Sequence, residues 1–277
     1  MSDTTATLPL VSVVISTYRE ASAGLLQPCV ESVRTQTYAN FECIIVGDAT
    51  ADAPIIQAML AEMNDPRFVF HNLDVAGGPK DSGTKPKQHG ANMARGKYLC
   101  FLDADDSFLP AHIQVLVDAM EADASLDMAF GDTQFYMPFG KAGRELHFTW
   151  RHPWNEKART KLMTRCNFLS SSEPMMRTTS YRACGGIQRD GYLNDWRLWQ
   201  RLIESGHDKF RHVPGTITRY YAPQPWQFGF LFYLSRGLPF NMARAVEKQQ
   251  LPGQSGLLTR LFKGKKRAAE VAKQDGR

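Results

Sequence analysis

Three carboxylates crowd one short stretch of the chain: Asp103, Asp105 and Asp106 come directly after Tyr98-Leu99-Cys100-Phe101-Leu102. Acids this close repel one another unless a cation or positive side chains neutralise them. Capping a helix takes one carboxylate, not three. An all-oxygen donor set suits a hard divalent ion, Mg2+ or Mn2+, which commonly holds substrate phosphates through one or two protein carboxylates. Much later in the chain, Asp195 stands in Asn194-Asp195-Trp196, where a helix begins. At that place it is a candidate general base, although the helix dipole alone also favours an acid there. Lys85 and Lys87, near another helix start, are candidate donors to an anion.

The elements that must position these groups appear as an alternation of patterns. Val11–Ile15 is a β-branched run that fits a buried strand, and polar Ser16-Thr17-Tyr18-Arg19-Glu20 follows its carboxyl end. Leu25–Thr35 reads as an amphipathic helix, and Phe41–Val46 as a strand ending in Gly47-Asp48. Asp52 with Pro54 marks a second helix carrying Ile55, Ile56, Met59, Leu60 and Met63 on its apolar positions. Arg67–Asn72 supplies a third strand, residues 73–84 a Gly-rich loop, and Thr84–Arg95 a helix; Tyr98–Leu102 is apolar enough for a strand buried on both faces. Such alternation predicts an α/β fold with a doubly wound, mostly parallel (mixed) sheet flanked by helices. Ligands of these sheets bind outside the carboxyl ends of the strands, so Ser16, Tyr18, Glu20, Asp48 and the Asp103–Asp106 cluster converge on one crevice. A divalent ion with lysines beside it suggests a nucleoside diphosphate. No G-x-G-x-x-G follows the first strand and no G-x-x-x-x-G-K-[ST] occurs, which excludes a Rossmann dinucleotide site and a P-loop.

The second half is less regular. Ala111–Glu121 continues as a helix and Asp127–Tyr136 as a strand, while residues 138–168 mix aromatic and basic side chains without a legible period. Ser170–Arg177 reads as a strand, Cys184-Gly185-Gly186 as a turn, and Asn194–Ser205 as a helix with Leu198, Trp199, Leu202 and Ile203 on its core face. Two short strands, Phe210–Val213 and Thr216–Tyr221, precede a strongly aromatic stretch over Trp226–Phe240.

With 277 residues, 43% of them hydrophobic, the chain can bury a large core, and one main domain with an appendage is expected. The formal charge of +5 sits in residues 257–277, which hold seven Lys/Arg and two acids, so the preceding body is neutral. That distribution argues against a nucleic-acid-binding domain and for a local electrostatic contact. The tail also carries Leu257, Leu258, Leu261 and Phe262, a mixture suited to an anionic membrane surface. Five scattered cysteines without a C-x-x-C pair point to a reducing compartment. No signal-peptide pattern is present and no run reaches the ~20 apolar residues of a membrane span, so the expected location is cytoplasmic, with peripheral association at the inner face of the membrane.

Four segments together carry a resemblance. Val11–Tyr18, Glu31–Tyr38, Ala94–Asp106, and Gly185-Gly186 followed by Asn194–Trp199 resemble, in the same order, segments shared by family 2 glycosyltransferases. The resemblance spans roughly residues 10–221. It implies a GT-A fold and an inverting transfer from a nucleotide-diphospho-sugar, a UDP-sugar foremost, to a glycan or lipid-linked acceptor. Carried over position by position, Ser16 and Asp48 would hold the nucleoside, with Tyr18, Glu20 and Lys87 nearby. Asp103-Ala104-Asp105 matches the family's D-x-D motif, so Asp105 would ligate Mn2+ or Mg2+ and Asp103 the ribose or the metal shell. Asp195 matches the catalytic base. The chain departs from the family pattern at Gly47, where an acid is usual, at Lys87-Gln88, where Arg and Asn are common, at Asn194, commonly an acid, and at Tyr221, commonly a His. The implied boundaries are a glycosyltransferase domain over 1–235, with a nucleotide-sugar half to about 110 and an acceptor half beyond it, then a tail over 236–277. Trp150, His152, Trp154 and Trp196 in the second half are candidate acceptor contacts, because aromatic faces suit sugar rings and lipid-linked groups. Two other readings fit parts of the sequence. A haloacid-dehalogenase-type phosphatase also has an Asp-x-Asp after an apolar strand, though normally on its first strand, and a non-catalytic sugar-nucleotide binder would share the fold.

Overall fold

Runs of β-branched and apolar residues become strands where the sequence places them, and the registers between those strands assemble the crevice. The structure, a computed structural model, describes residues 8–78, 81–139 and 144–221. The aromatic stretch 226–240 and the tail 236–277 lie outside the described residues.

The first half alternates β1 (Val11–Thr17), α1 (Leu26–Arg34), β2 (Phe41–Gly47), α2 (Ala53–Met63), β3 (Phe68–Asn72), α3 (Thr84–Met93) and β4 (Tyr98–Asp103). The second half holds β5 (Ser107–Phe108), α4 (His112–Ala122), β6 (Met128–Phe139), β7 (Arg144–Trp150), α5 (Glu156–Thr164), β8 (Pro174–Arg177), α6 (Thr178–Ala183), α7 (Asn194–Glu204) and β9 (Phe210–Tyr221). Among the described residues these strands form one sheet in the order β3-β2-β1-β4-β8-β6-β9-β5, with β7 paired to β6. The four strands of the first half are parallel. β8 runs antiparallel to both β4 and β6, whereas β9 runs parallel to β6.

β4 is the strand buried on both faces, and its alternation divides the core. Tyr98, Cys100 and Leu102 enter one apolar cluster with α1, α2 and α4, while Leu99 and Phe101 enter the other with α7. Each fully buried side chain of this size contributes about 1.5–3 kcal/mol, so β4 is anchored from both sides. All five cysteines are free and buried and serve as small apolar residues. On α2, only Ile56 of the five expected apolar positions is fully buried, and Ile55 is 50% exposed.

Three segments differ from the sequence reading. The expected strand at Ser170–Arg177 begins only at Pro174, leaving residues 170–173 as a loop. The two strands expected at 210–221 are one strand, β9, irregular where Phe130 and Asp132 of β6 face it. Gly215 there has a φ of 128°, a conformation that L side chains rarely adopt. The unassigned aromatic and basic stretch holds β7 and α5, the latter capped by the Asn155 side chain accepting from the Ala158 N–H at 3.0 Å.

β4 can lie beside β1 only because residue 96 lacks a side chain. A Cβ on Gly96 would stand 2.6 Å from the Ser12 amide nitrogen and 2.8 Å from the Leu10 carbonyl oxygen, backbone atoms that have no rotamer with which to move aside. Gly96→Ala is expected to destabilise the protein by about 1–3 kcal/mol in urea unfolding. An unchanged midpoint would mean that the β1–β4 register tolerates displacement.

Candidate active site

The β1–β4 register sets Ser16 opposite Asp103, and the β1–β2 register sets Thr17 opposite Gly47. The carboxyl ends of three parallel strands therefore share one edge. After β1 the chain turns around Glu20, whose Oε2 accepts from Thr17 Oγ1 at 2.9 Å and from the amides of Tyr18 at 2.6 Å and Arg19 at 3.1 Å. The Tyr18 ring is left 47% exposed at the edge. After β2, Asp48 Oδ1 accepts from the Gly77 N–H at 2.7 Å and so ties the Gly-rich loop to the same edge. Gly83, at the start of α3, leaves room for Ser16: a Cβ on it would meet Ser16 Oγ at 3.1 Å.

Antiparallel pairing explains what faces the acids. Cys100 lies opposite Met175, and counting the register outward brings Ser172 level with Asp103. The Asp103 N–H accordingly donates to Ser172 Oγ at 3.1 Å. From this arrangement the three acids acquire three different roles. Asp103 Oδ1 pairs with Lys87 Nζ at 2.6 Å, and its Oδ2 accepts from Ser171 Oγ at 2.7 Å. Lys87 is 3% exposed. Burial alone would strip it of its proton, but Asp103, aided by Asp195 and Asp106, holds its pKa above the usual lysine value. Burial likewise opposes ionisation of Asp103, and Lys87 and Ser171 outweigh it, leaving that carboxyl below its ordinary range. The Lys87 charge is thus committed to Asp103.

Asp106 is a latch. Its Oδ2 accepts from Ser172 Oγ at 2.6 Å and its Oδ1 from the Tyr221 N–H at 2.9 Å, joining the 170–173 loop and the end of β9 to the acidic turn. Burial and its two acidic neighbours raise its pKa well above the usual value. Asp105 has no cationic partner among the described residues. Burial, then Asp103 and Glu20, push it up to about 7.

Asp195 lies in the first turn of α7, a helix whose Leu198, Trp199, Leu202 and Ile203 face is buried as expected. Its Oδ1 accepts from the Trp196 N–H at 2.7 Å and its Oδ2 from Asn167 Nδ2 at 2.9 Å. Asn167 belongs to the same segment as Ser171, so one loop touches both Asp195 and Asp103. Asn194 joins α7 to α3, since its Nδ2 donates to Thr84 Oγ1 at 2.7 Å, Ser82 O at 3.0 Å and Asp81 O at 3.3 Å. An acid could not donate to these oxygens, which accounts for an amide at this position.

The four aromatic candidates separate. Trp196 is 5% exposed and gives its indole N–H to Leu162 O at 2.6 Å, so the structure assigns its ring to the core. Trp150 is also buried and packs edge-on against Phe135. Trp154 lies against Phe130 and Phe210. His152 sits between Trp150 and Phe168, with ring centroids 4.5 Å from each. Burial, with Lys161 and His212 nearby, lowers its pKa to about 3 and keeps it neutral.

The sequence reading missed Asn167, Ser171, Ser172, Glu173, Asp132 and His212. The visible signal was Ser170-Ser171-Ser172-Glu173, a polar run abutting an apolar strand and closed by Pro174. Asp132 Oδ1 and His212 Nε2 are 2.6 Å apart across β6 and β9, a pairing that no sequence pattern marks.

The donor set can be tested against a divalent ion. Among the described residues no three His, Cys, Asp or Glu side chains form a metal cage. Asp105 is nevertheless a half-buried carboxyl with no ion-pair partner among the described residues, and a hard ion bound mainly through substrate phosphates needs only one or two carboxylates. The residues fit Mn2+ or Mg2+ held in that way, for which Asp105 would be the protein ligand, with Asp103 beside it paired to Lys87.

The chain matches the model of the family described as Glycosyl transferase family 2 over residues 12–185. An uncharacterized glycosyltransferase of Methanocaldococcus jannaschii is 34% identical over 128 residues, which are 46% of this chain and 42% of that relative. A putative colanic acid biosynthesis glycosyl transferase of Escherichia coli K12 is 27% identical over 109 residues, 39% of this chain and 37% of the relative. The chain thus spans less than half the length of these curated relatives. Among solved structures, S. aureus TarS superposes with a TM-score of 0.59 at 15% identity, covering 80% of this chain and 38% of that one. A mannosyltransferase from Pyrobaculum calidifontis, solved with GDP-Man and Mn2+, gives a TM-score of 0.59 at 14% identity, covering 87% of this chain and 65% of that one. At such identities the superpositions establish the fold, which is GT-A. With the family model covering well over half its length, the chain belongs to glycosyl transferase family 2.

Proposed function

We propose that the protein is an inverting glycosyltransferase that moves a sugar from a nucleotide-diphospho-sugar to a hydroxyl of a glycan or lipid-linked acceptor in polysaccharide biosynthesis. The observation that carries this reading is the single segment 167–173, which bonds Asp195 at one end and Asp103 at the other. It brings a candidate base and the D-x-D acids to one crevice. Ser16, Tyr18 and Asp48 line the nucleoside side, and the neutralised Asp103 stands ready for the ribose. A divalent ion bound with the substrate would supply Lewis-acid neutralisation of the diphosphate as it departs. Asp195 accepts the proton of the acceptor hydroxyl while that oxygen bonds to the anomeric carbon, and the bond from that carbon to the diphosphate breaks on the opposite face. A phosphatase of the haloacid dehalogenase type carries its Asp-x-Asp after the first strand, whereas Asp103-Ala104-Asp105 stands at the end of β4, the fourth.

In this reading residues 1–110 serve the donor and 111–235 the acceptor. The relatives solved with UDP-GlcNAc and with GDP-Man support a nucleotide-sugar donor, and a UDP-sugar is the first to test. No helix among the described residues is long and apolar enough to cross a membrane. A cytoplasmic enzyme whose basic segment 257–277 contacts an anionic membrane surface is consistent with a lipid-linked acceptor.

The test is calorimetric titration of the full chain with nucleoside diphosphate, with Mn2+ and with chelator. Affinity should be much higher with Mn2+, and because the Asp105 proton competes with the metal, it should rise with pH through about 7. Asp105→Asn should remove about 10–100-fold or more of the metal-dependent affinity. Equal wild-type affinity under both conditions would end the metal assignment.

A further inference from the structure

Beside Asp195 the protein buries polar atoms for which it provides no partners. Glu173 is 2% exposed, and its Oε1 has no hydrogen-bond partner among the described residues. The same holds for Thr133 Oγ1, Ser170 Oγ and His152 Nε2, all buried. Leaving such an atom unpaired costs about 1–3 kcal/mol, so a group of them calls for a ligand or water. They come from separate segments that a chain of contacts links. The Thr133 hydroxyl lies beside the Glu173 carboxyl. Ser170 is the residue whose carbonyl the Glu173 N–H meets at 3.4 Å. Thr133 pairs across the sheet with Trp150, which packs tilted against His152, and His152 packs in turn against Phe168, two residues before Ser170.

We propose that the Glu173 carboxyl, with the Thr133 and Ser170 hydroxyls and the His152 imidazole, forms a subsite beside Asp195 that receives the uncharged, hydroxyl-bearing end of the acceptor. The proposal rests on the reading of Asp195 as the base and narrows its substrate class. Burial, with Asp195 and Asp132 close by, pushes Glu173 up to about 8, so at neutral pH it is a carboxylic acid able both to donate and to accept. Neutral His152 offers the same pair of functions, as do the two hydroxyls, and this matches the donor–acceptor character of a sugar hydroxyl. An anionic group would meet the Asp195 and Asp132 carboxylates. Nearby Arg151 and His212 are engaged with Asp132, at 3.4 Å and 2.6 Å.

The experiment is NMR titration of the full chain, with nucleoside diphosphate and Mn2+ present, using a panel of methyl hexosides and the corresponding hexose 6-phosphates as probes. At least one neutral hexoside should bind saturably, and its phosphorylated counterpart about 10-fold more weakly or worse. Glu173→Gln, which still donates and accepts, should stay within about three-fold of wild type, whereas Glu173→Leu should lose about 10-fold or more. Nucleoside diphosphate affinity, unchanged in both, reports that the fold is intact; if the Leu variant does not fold, Ser170→Ala should give a loss of several-fold instead. The proposal is overturned if hexose phosphates bind as well as the neutral hexosides, if no neutral hexoside binds, or if both truncating variants bind like wild type. Binding requires no proton transfer, so failure of Asp195 as the base would appear in turnover and not in this titration.

Discussion

If Asp195 is the base, Asp195→Asn should lower the turnover of the best nucleotide-sugar donor by about 10²–10⁴-fold, the usual contribution of a general base, and leave nucleoside diphosphate affinity nearly unchanged. The substitution preserves volume and removes the proton acceptor. It also disturbs one contact: with its oxygen retained on the Trp196 N–H, the new amide group faces Asn167 Nδ2, donor against donor. That costs on the order of 1 kcal/mol of stability. A stability loss of this size cannot produce a thousand-fold kinetic effect, and the substitution leaves in place Asp48, Asp103 and Asp105, the groups proposed to bind the donor. Release of nucleoside diphosphate from a panel of nucleotide sugars identifies the donor and measures the effect. Near-normal turnover in the Asn variant would make Asp195 a helix-terminal acid only.

The second large effect concerns Lys87, whose ammonium is inside the protein. Lys87→Met leaves Asp103 without its counter-charge. Breaking a fully buried pair costs about 3–5 kcal/mol, and here about 2–4 kcal/mol is expected because the Asp103 side chain is 34% exposed. The pH dependence identifies the cause. Asp103 has its pKa depressed in the folded protein, so the stability it contributes is present above the unfolded value of 3.8 and is lost as pH falls through the lower folded value. The difference between wild type and Lys87→Met should therefore be largest near neutrality and shrink on acidification below about 4. Urea unfolding at both pH values measures it. A difference independent of pH would show that the loss is one of packing around the lysine stem.

Much of the first half was legible because its information is local. β-branched runs, Pro54 near a helix start, and five apolar residues ahead of three acids each fix a conformation or a burial state within a few residues. The same holds for α7, whose apolar spacing marked its core face and put Asp195 in its first turn. Residues 138–168 were opaque for the opposite reason. β7 is recruited by pairing with β6, and alternation between aromatic and basic side chains does not reveal a partner strand.

The amino-acid sequence by itself determined the α/β alternation, the acidic end of β4 and the place of Asp195, since each depends on neighbouring residues. Only the tertiary structure decided what the charged groups do. Lys87 was read as a donor to a substrate anion, yet it lies buried against Asp103 and a serine 84 positions away. Of the three crowded acids, Asp103 is paired with Lys87 and Asp106 is bonded by Ser172 and the end of β9, while Asp105 has no ion-pair partner among the described residues. Glu173 looked like part of a strand and is instead a buried acid facing Asp132 and Asp195. Ionisation depends on desolvation and on charges brought near by the fold, and the groups that set it here come from segments far apart in the chain.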